Sequence, residues 1–230
     1  MVRSRKRITR KDIRQPDQFI TFTSRVFSYS EEHRTQIFVA LGLVVVLSLG
    51  LWGWQQYQSN QNRLASQAYA RALEAFHDGK FQTALDLLDR VDAYRSPSYQ
   101  RLAILYRANS HIGLKQPKDA VPLLEDFLGR TSKSSYLHQL ALSNLGYAHE
   151  MANQCKEAIS AYDEAAKMDG PQKEQAFLSK ARCSATLGQF SEAVELYREY
   201  LASYPGTVRA MEISLRIQEL KRKLQGTSEG

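Results

Sequence analysis

Cysteine is nearly missing from this chain, with two residues in 230 at positions 155 and 183. That excludes a disulfide-dense scaffold, and without a Cys-x-x-Cys or a Cys/His cluster it gives a structural metal no footing. No Gly-x-Ser-x-Gly, His-Glu-x-x-His or Gly-rich phosphate loop occurs, so the familiar routes to hydrolysis and phosphoryl transfer have no residues to run on. The chain reads as a non-enzyme with no cofactor and no metal. Positive charge is also scarce where a nucleic-acid binder would need it. The net charge is +7, but residues 1–36 hold nine Lys/Arg against four acids. That leaves +2 for the rest, too little for a phosphate-binding surface, and no nucleic acid is expected as a partner.

Charge disappears altogether between Ile37 and Trp54, IFVALGLVVVLSLGLWGW, where Ser48 is the only polar side chain. As a helix these residues reach roughly 27 Å, enough to cross a bilayer core. Trp52, Trp54 and Tyr57 suit the headgroup boundary at its end. A buried core helix would carry a polar face over five turns, and this one has none. A cleaved signal peptide would have a shorter apolar core and a small-residue cleavage site; here 36 residues precede a long run, which reads as an uncleaved anchor. Nine Lys/Arg precede it and none lies between Trp54 and Arg63. The positive side stays cytoplasmic, so residues 55–230 are expected across the membrane, in the periplasm of a bacterium with the anchor in its inner membrane. Within the basic tail, Phe19, Ile20, Thr23, Val26 and Phe27 share a helical face. Residues 17–30 therefore read either as an interfacial helix on anionic lipid or as a disordered tail that only sets topology.

Beyond a polar stem at 55–64, apolar residues recur at helical spacing. GKFQTALDLLDRV (79–91) aligns with GQFSEAVELYREY (188–200), and QPKDAVPLLEDFL (116–128) and QCKEAISAYDEAA (154–166) fall between them. The register residues Ala84, Ala120, Ala158 and Ala193 are 36, 38 and 35 apart. These segments resemble the tetratricopeptide repeat, whose period is 34. The resemblance covers residues 65–205 and implies an all-α fold, an α-solenoid of about four helical hairpins behind a single transmembrane helix. It implies small residues where helices cross, here Ala72, Ala108, Gly146 and Ala181. It also implies large ones between hairpins, here Leu88, Leu124, Tyr162 and Tyr197. Copy two departs: Pro122 removes an N–H inside its second helix, so that helix should start late or bend. Residues 207–224, with a stripe of Ala210, Ile213, Ile217, Leu220 and Leu224, read as a capping helix, and 225–230 as a disordered tail. The expected layout is thus a tail (1–36), an anchor (37–54), a stem (55–64), repeats (65–206) and a cap.

The same resemblance assigns a concave groove that binds a segment of another protein. Its lining would be Tyr69, Leu73, Phe76 and His77 from copy one and Leu105, Asn109 and Ile112 from copy two. Ser143, Tyr147, Glu150 and Met151 follow from copy three, with Leu178 and Arg182 from copy four. Aromatic and Arg residues suit interface anchoring, and Asn suits a peptide backbone. Leu73 and Phe76 would instead be lost to the groove if the stem covered them. His111 and His149 share a repeat position and read as packing residues rather than a metal pair. Cys155 and Cys183 fall on helices that pack side by side, and they read either as a disulfide or as two buried thiols.

The order of basic tail, uncleaved anchor and short repeat domain resembles the ancillary tetratricopeptide-repeat subunit of the bacterial Sec translocon. That implies translocon subunits and periplasmic chaperones as partners, with the anchor and tail on membrane lipid. A scaffold or assembly subunit of a membrane enzyme or cell-envelope complex is the alternative. A mitochondrial receptor with cytosolic repeats is opposed by the basic side preceding the anchor.

Overall fold

A computed structural model describes residues 33–227. The segment 17–30, the rest of the tail before His33 and the last three residues lie outside the described residues. The described residues form nine helices: α1 (Arg34–His77), α2 (Phe81–Val91), α3 (Pro97–Gly113), α4 (Pro117–Gly129), α5 (Tyr136–Met151), α6 (Cys155–Lys167), α7 (Lys173–Thr186), α8 (Phe190–Ser203) and α9 (Ala210–Thr227). The chain divides into two compact units, Met1–Tyr57 and Gln58–Gly230.

The described part of the first unit is helix. Its apolar window is long enough to cross a membrane and none of it is buried; Phe38, Leu51 and Trp52 each expose about 70% of their surface. An apolar helix bare on every side has no aqueous reason to be stable, whereas hydrocarbon suits all its faces. Its one hydroxyl, Ser48 Oγ, donates to the Val44 carbonyl at 2.7 Å, so the polar group is satisfied within the helix, as a dry environment demands.

The second unit stacks four hairpins: α1/α2, joined through Ala72, Leu88 and Val91, then α3/α4, α5/α6 and α7/α8, with α9 packed on α8 as the cap. Each hairpin turn uses the same device. One residue takes a left-handed backbone, Gly79 (φ 73°), Lys115 (φ 59°), Asn153 (φ 59°) or Gly188 (φ 77°). The next N–H then reaches back five residues: Lys80 to Ala75, Gln116 to His111, Gln154 to His149 and Gln189 to Ser184, at 2.8–3.0 Å. The orphan carbonyls of the first helix are satisfied this way. Glycine adopts that conformation freely; Lys115 does so against a steric penalty.

Tight crossings explain the small residues. Ala84, Ala120, Ala158 and Ala193 are fully buried, as are Ala108 and Ala181, with Ala72 at 1% exposure. At Gly146 a Cβ would lie 2.6 Å from the Tyr162 ring, a separation that no side chain tolerates. Leu88, Leu124, Tyr162 and Tyr197 are buried between hairpins, and Ile213, Ile217 and Leu220 seal α9.

Copy two corrects one expectation: α4 does not start late. It opens at Pro117, three residues before Ala120, the register of Phe81, Cys155 and Phe190 in the other copies. Pro117 occupies the first helical position, where its missing N–H costs nothing and its fixed φ is already helical. Pro122 is exposed, so the carbonyl it leaves unpaired can be hydrated. The stem brings a second adjustment. Because α1 is continuous through 55–64, the stem cannot fold over Leu73 and Phe76. Its amides serve the α2–α3 link instead: Gln58 Nε2 donates to the Arg95 carbonyl (3.1 Å), Arg95 N to Gln61 Oε1 (3.2 Å) and Ser96 Oγ to Asn62 Oδ1 (2.6 Å). The cap helix begins at Ala210 and continues to Thr227.

Candidate functional site

The first helices of the hairpins, with α9, carry the groove positions, and the two ends differ. At the α1–α3 end the aromatic side chains meet one another. The Tyr69 ring lies 5.7 Å from both Tyr99 and Tyr106, and Phe76 lies 5.3 Å from Tyr106 and 5.5 Å from Phe81, mostly edge to face. Burial, reinforced by the neighbouring tyrosines, pushes the Tyr69 hydroxyl above its usual range. Leu73 and Phe76 are half-buried and His77 is exposed. Leu105 is 1% exposed and belongs to the α3–α4 core, against which Ile112 also packs.

The middle of the face is polar. Asn144 Nδ2 donates to Asn109 Oδ1 at 2.8 Å, linking α5 to α3. His111 and His149 are not brought together on a shared ligand. Each ring Nδ1 pairs with the amide oxygen of Gln116 or Gln154 at 2.9 Å, closing its own hairpin turn. Among the described residues no group of three potential metal ligands occurs.

At the α5–α7 end, Arg182 grips Glu150 with a fork: Nε to Oε1 at 2.6 Å and Nη2 to Oε2 at 2.8 Å. Tyr162 Oη, reaching through from α6, donates to Glu150 Oε2 at 2.9 Å. Burial first, then the Glu150 carboxylate, pushes the Tyr162 hydroxyl up, so it remains a donor; hydrogen bonding to Glu150 likewise raises Arg182. Around this cluster opens a cavity of about 520 Å³ bordered by Ser143, Asn144, Tyr147, Gln172, Gln175 and Ser179. Tyr147 is 46% exposed at its rim, Ser143 and Leu178 are buried, and Met151 is half-buried. A second cavity, of about 570 Å³ between α7, α8 and α9, shares Arg182 with the first.

Cys155 and Cys183 are buried thiols whose sulfurs lie 2.9 Å apart. Burial pushes the Cys183 thiol up, toward the protonated form. The face therefore offers hydrogen-bonding amides, hydroxyls and guanidinium groups for binding. Sequence reasoning missed Asn144, Gln175 and Ser179 on the groove, the hydroxyl of Tyr162, and the whole contribution of α9. The arginines of α9, spaced along one helix, were the available signal.

Residues 28–221 match the family described as tetratricopeptide repeat-like domain. No curated protein sequence matches the chain. Among solved structures, it is similar to a Podosopora anserina putative kinesin light chain with nearly identical TPR-like repeats (21% identity, TM-score 0.56, covering 72% of this chain and 93% of that one). It is similar also to MamA from Desulfovibrio magneticus RS-1 (19%, TM-score 0.55, covering 63% and 77%). A third is YrrB, described as a TPR protein with an unusual peptide-binding site (17%, TM-score 0.55, covering 65% and 74%). At these identities the likeness concerns the fold alone.

Proposed function

Because the chain belongs to the tetratricopeptide repeat-like family, a protein-binding scaffold family that is typically non-catalytic, we propose that it is a membrane-anchored docking subunit. Its anchor spans the bacterial inner membrane with the N-terminus inside, and its repeats work at the periplasmic surface. There it serves protein translocation or envelope biogenesis, holding translocon subunits, periplasmic chaperones or envelope-complex subunits. Membrane lipid is a further partner, through the anchor and the basic tail.

The observation that carries this reading is the polar cavity of α5 and α7. Amides of Asn144 and Gln175 and the hydroxyl of Ser179 border it, and such groups pair with the backbone of an extended segment whatever its side chains. A bare apolar helix in the same chain supports the reading as a membrane-anchored protein. The charge asymmetry about the anchor supports the orientation.

A photo-crosslinker at Tyr147 in native membranes tests the partner class. Adducts with translocon subunits or periplasmic chaperones are expected; adducts confined to one stable enzyme or envelope complex would favour the assembly-scaffold alternative. Protease added to intact spheroplasts should digest residues 65–224, and protection of that region would reverse the orientation. In that compartment Cys155 and Cys183 are expected to join as a disulfide.

A further inference from the structure

The cavity at the C-terminal end of the groove differs from its neighbour in charge. Four guanidinium groups line it, Arg182, Arg209, Arg216 and Arg222, against two carboxylates, Glu212 and Glu219. Arg182 is committed to Glu150, and Arg216 to Glu219 at 2.7 Å. Glu219 is further drawn toward Lys223 at 3.0 Å. Among the described residues Arg209 Nη1 meets only the neutral amide of Gln175, at 3.3 Å. The Arg222 guanidinium has no hydrogen bond or ion pair among the described residues. Beneath these charges lies an apolar floor of Leu178, Tyr197 and Ile213, each under 7% exposed, while Leu215 stands 60% exposed at the rim.

Resting on the reading of this face as a protein-binding groove, we infer that its C-terminal end is a seat for an acidic segment of a partner protein. That segment carries two carboxylates around an apolar side chain. Guanidinium forks accept carboxylates in a fixed plane, and the apolar floor beside them excludes water and strengthens the attraction. The apolar side chain covers Leu215 while its flanking carboxylates reach Arg209 and Arg222. A bilayer surface fits less well. The seat is recessed between α7, α8 and α9, and Glu212 and Glu219 inside it oppose an anionic lipid plane.

The test uses the full chain in neutral nanodiscs with fluorescent peptides that share Gly/Ser flanks and differ in the core: Asp-Leu-Glu, Asn-Leu-Gln or Lys-Leu-Lys. The acidic peptide should bind about ten-fold more tightly than its uncharged counterpart, and this advantage should fade with added salt. The double variant Arg209→Gln/Arg222→Gln should lose that advantage with an unchanged melting curve. Leu215→Ser should weaken acidic and neutral peptides alike, by about three-fold. Equal binding of acidic and neutral peptides, no measurable binding of the acidic peptide, or an advantage that survives the double variant would overturn the inference. So would binding of phosphatidylglycerol vesicles, lost in the double variant, without peptide discrimination. The Tyr147 crosslinks separate the two levels: their persistence alongside a failed peptide result sinks only the acidic seat, and their absence sinks the groove itself.

Discussion

The two ends of the concave face start from similar residue positions and finish in opposite states. At the α1–α3 end the groove positions hold aromatic side chains, which pack on Tyr99, Tyr106 and Phe81 and so consume one another's surface. At the α5–α9 end they hold hydroxyls, amides and charges, which leave two cavities of about 520 and 570 Å³. Apolar groups lining a groove gain by closing it, since each contact removes surface from water. Polar groups already have water as a partner and gain little. Aromatic richness at groove positions therefore marks the closed end here, and polarity marks the open one.

The contrast can be tested by substitution. The largest effect is expected at Gly146, under the open end, where the first helix of the hairpin lies against the Tyr162 ring. Gly146→Val drives a side chain into the Tyr162 ring and should cost about 3 kcal/mol, read as a lower denaturation midpoint. At the closed end, Phe76→Ala should cost about 2 kcal/mol and leave crosslinking through Tyr147 intact; a loss of partner at full stability would instead make Phe76 a binding residue. Oxidation comes next. Diamide should take two electrons and two protons from Cys155 and Cys183 to join α6 to α7, stabilising the open end by about 1.5 kcal/mol. Alkylation that still finds two thiols afterwards would exclude the bond.

A smaller effect concerns pH. His138 is buried at the start of α5, its Nδ1 3.0 Å from Thr131 Oγ1. Burial holds its pKa below the ordinary 6.5, with Glu164 opposing and Lys133 adding to the shift. Because the folded value lies below the unfolded one, the stabilisation is complete above pH 6.5 and is lost as pH falls through the folded value. A melting temperature that declines in that window, and less so in His138→Gln, is expected. The smallest change in stability belongs to Tyr147→Ala, under about 0.5 kcal/mol, yet this variant should weaken partner capture more than Phe76→Ala does.

Much of the fold was legible because its constraints are local. The small residues from Ala72 to Ala181 stand where helices must nearly touch, and the large ones where hairpins leave a gap, so the resemblance to the repeat locates them. Pro122 misled as to where α4 starts because its missing donor was weighed without its exposure. The site was less legible, for want of distance information. Glu150 and Arg182 are 32 residues apart and Asn109 and Asn144 are 35 apart; only the stacked helices bring them together. Leu105 satisfied a groove position in the repeat pattern yet turned into the core. The helix α9, whose inner stripe reads as a cap, has a second face whose arginines complete the larger cavity.

The left-handed turns carry a consequence of another kind. Gly79 and Gly188 open and close the array, while Lys115 and Asn153 hold the same backbone in the middle two hairpins. Chirality thus works as a ratchet on chain direction. Every hairpin reverses through one identical corner, and a corner fixed by backbone angle fixes length as well as sense. An inserted residue has no place within such a corner, so growth and loss in this protein must fall in the helices and in the links between hairpins. The repeat intervals of 36, 38 and 35 differ in both.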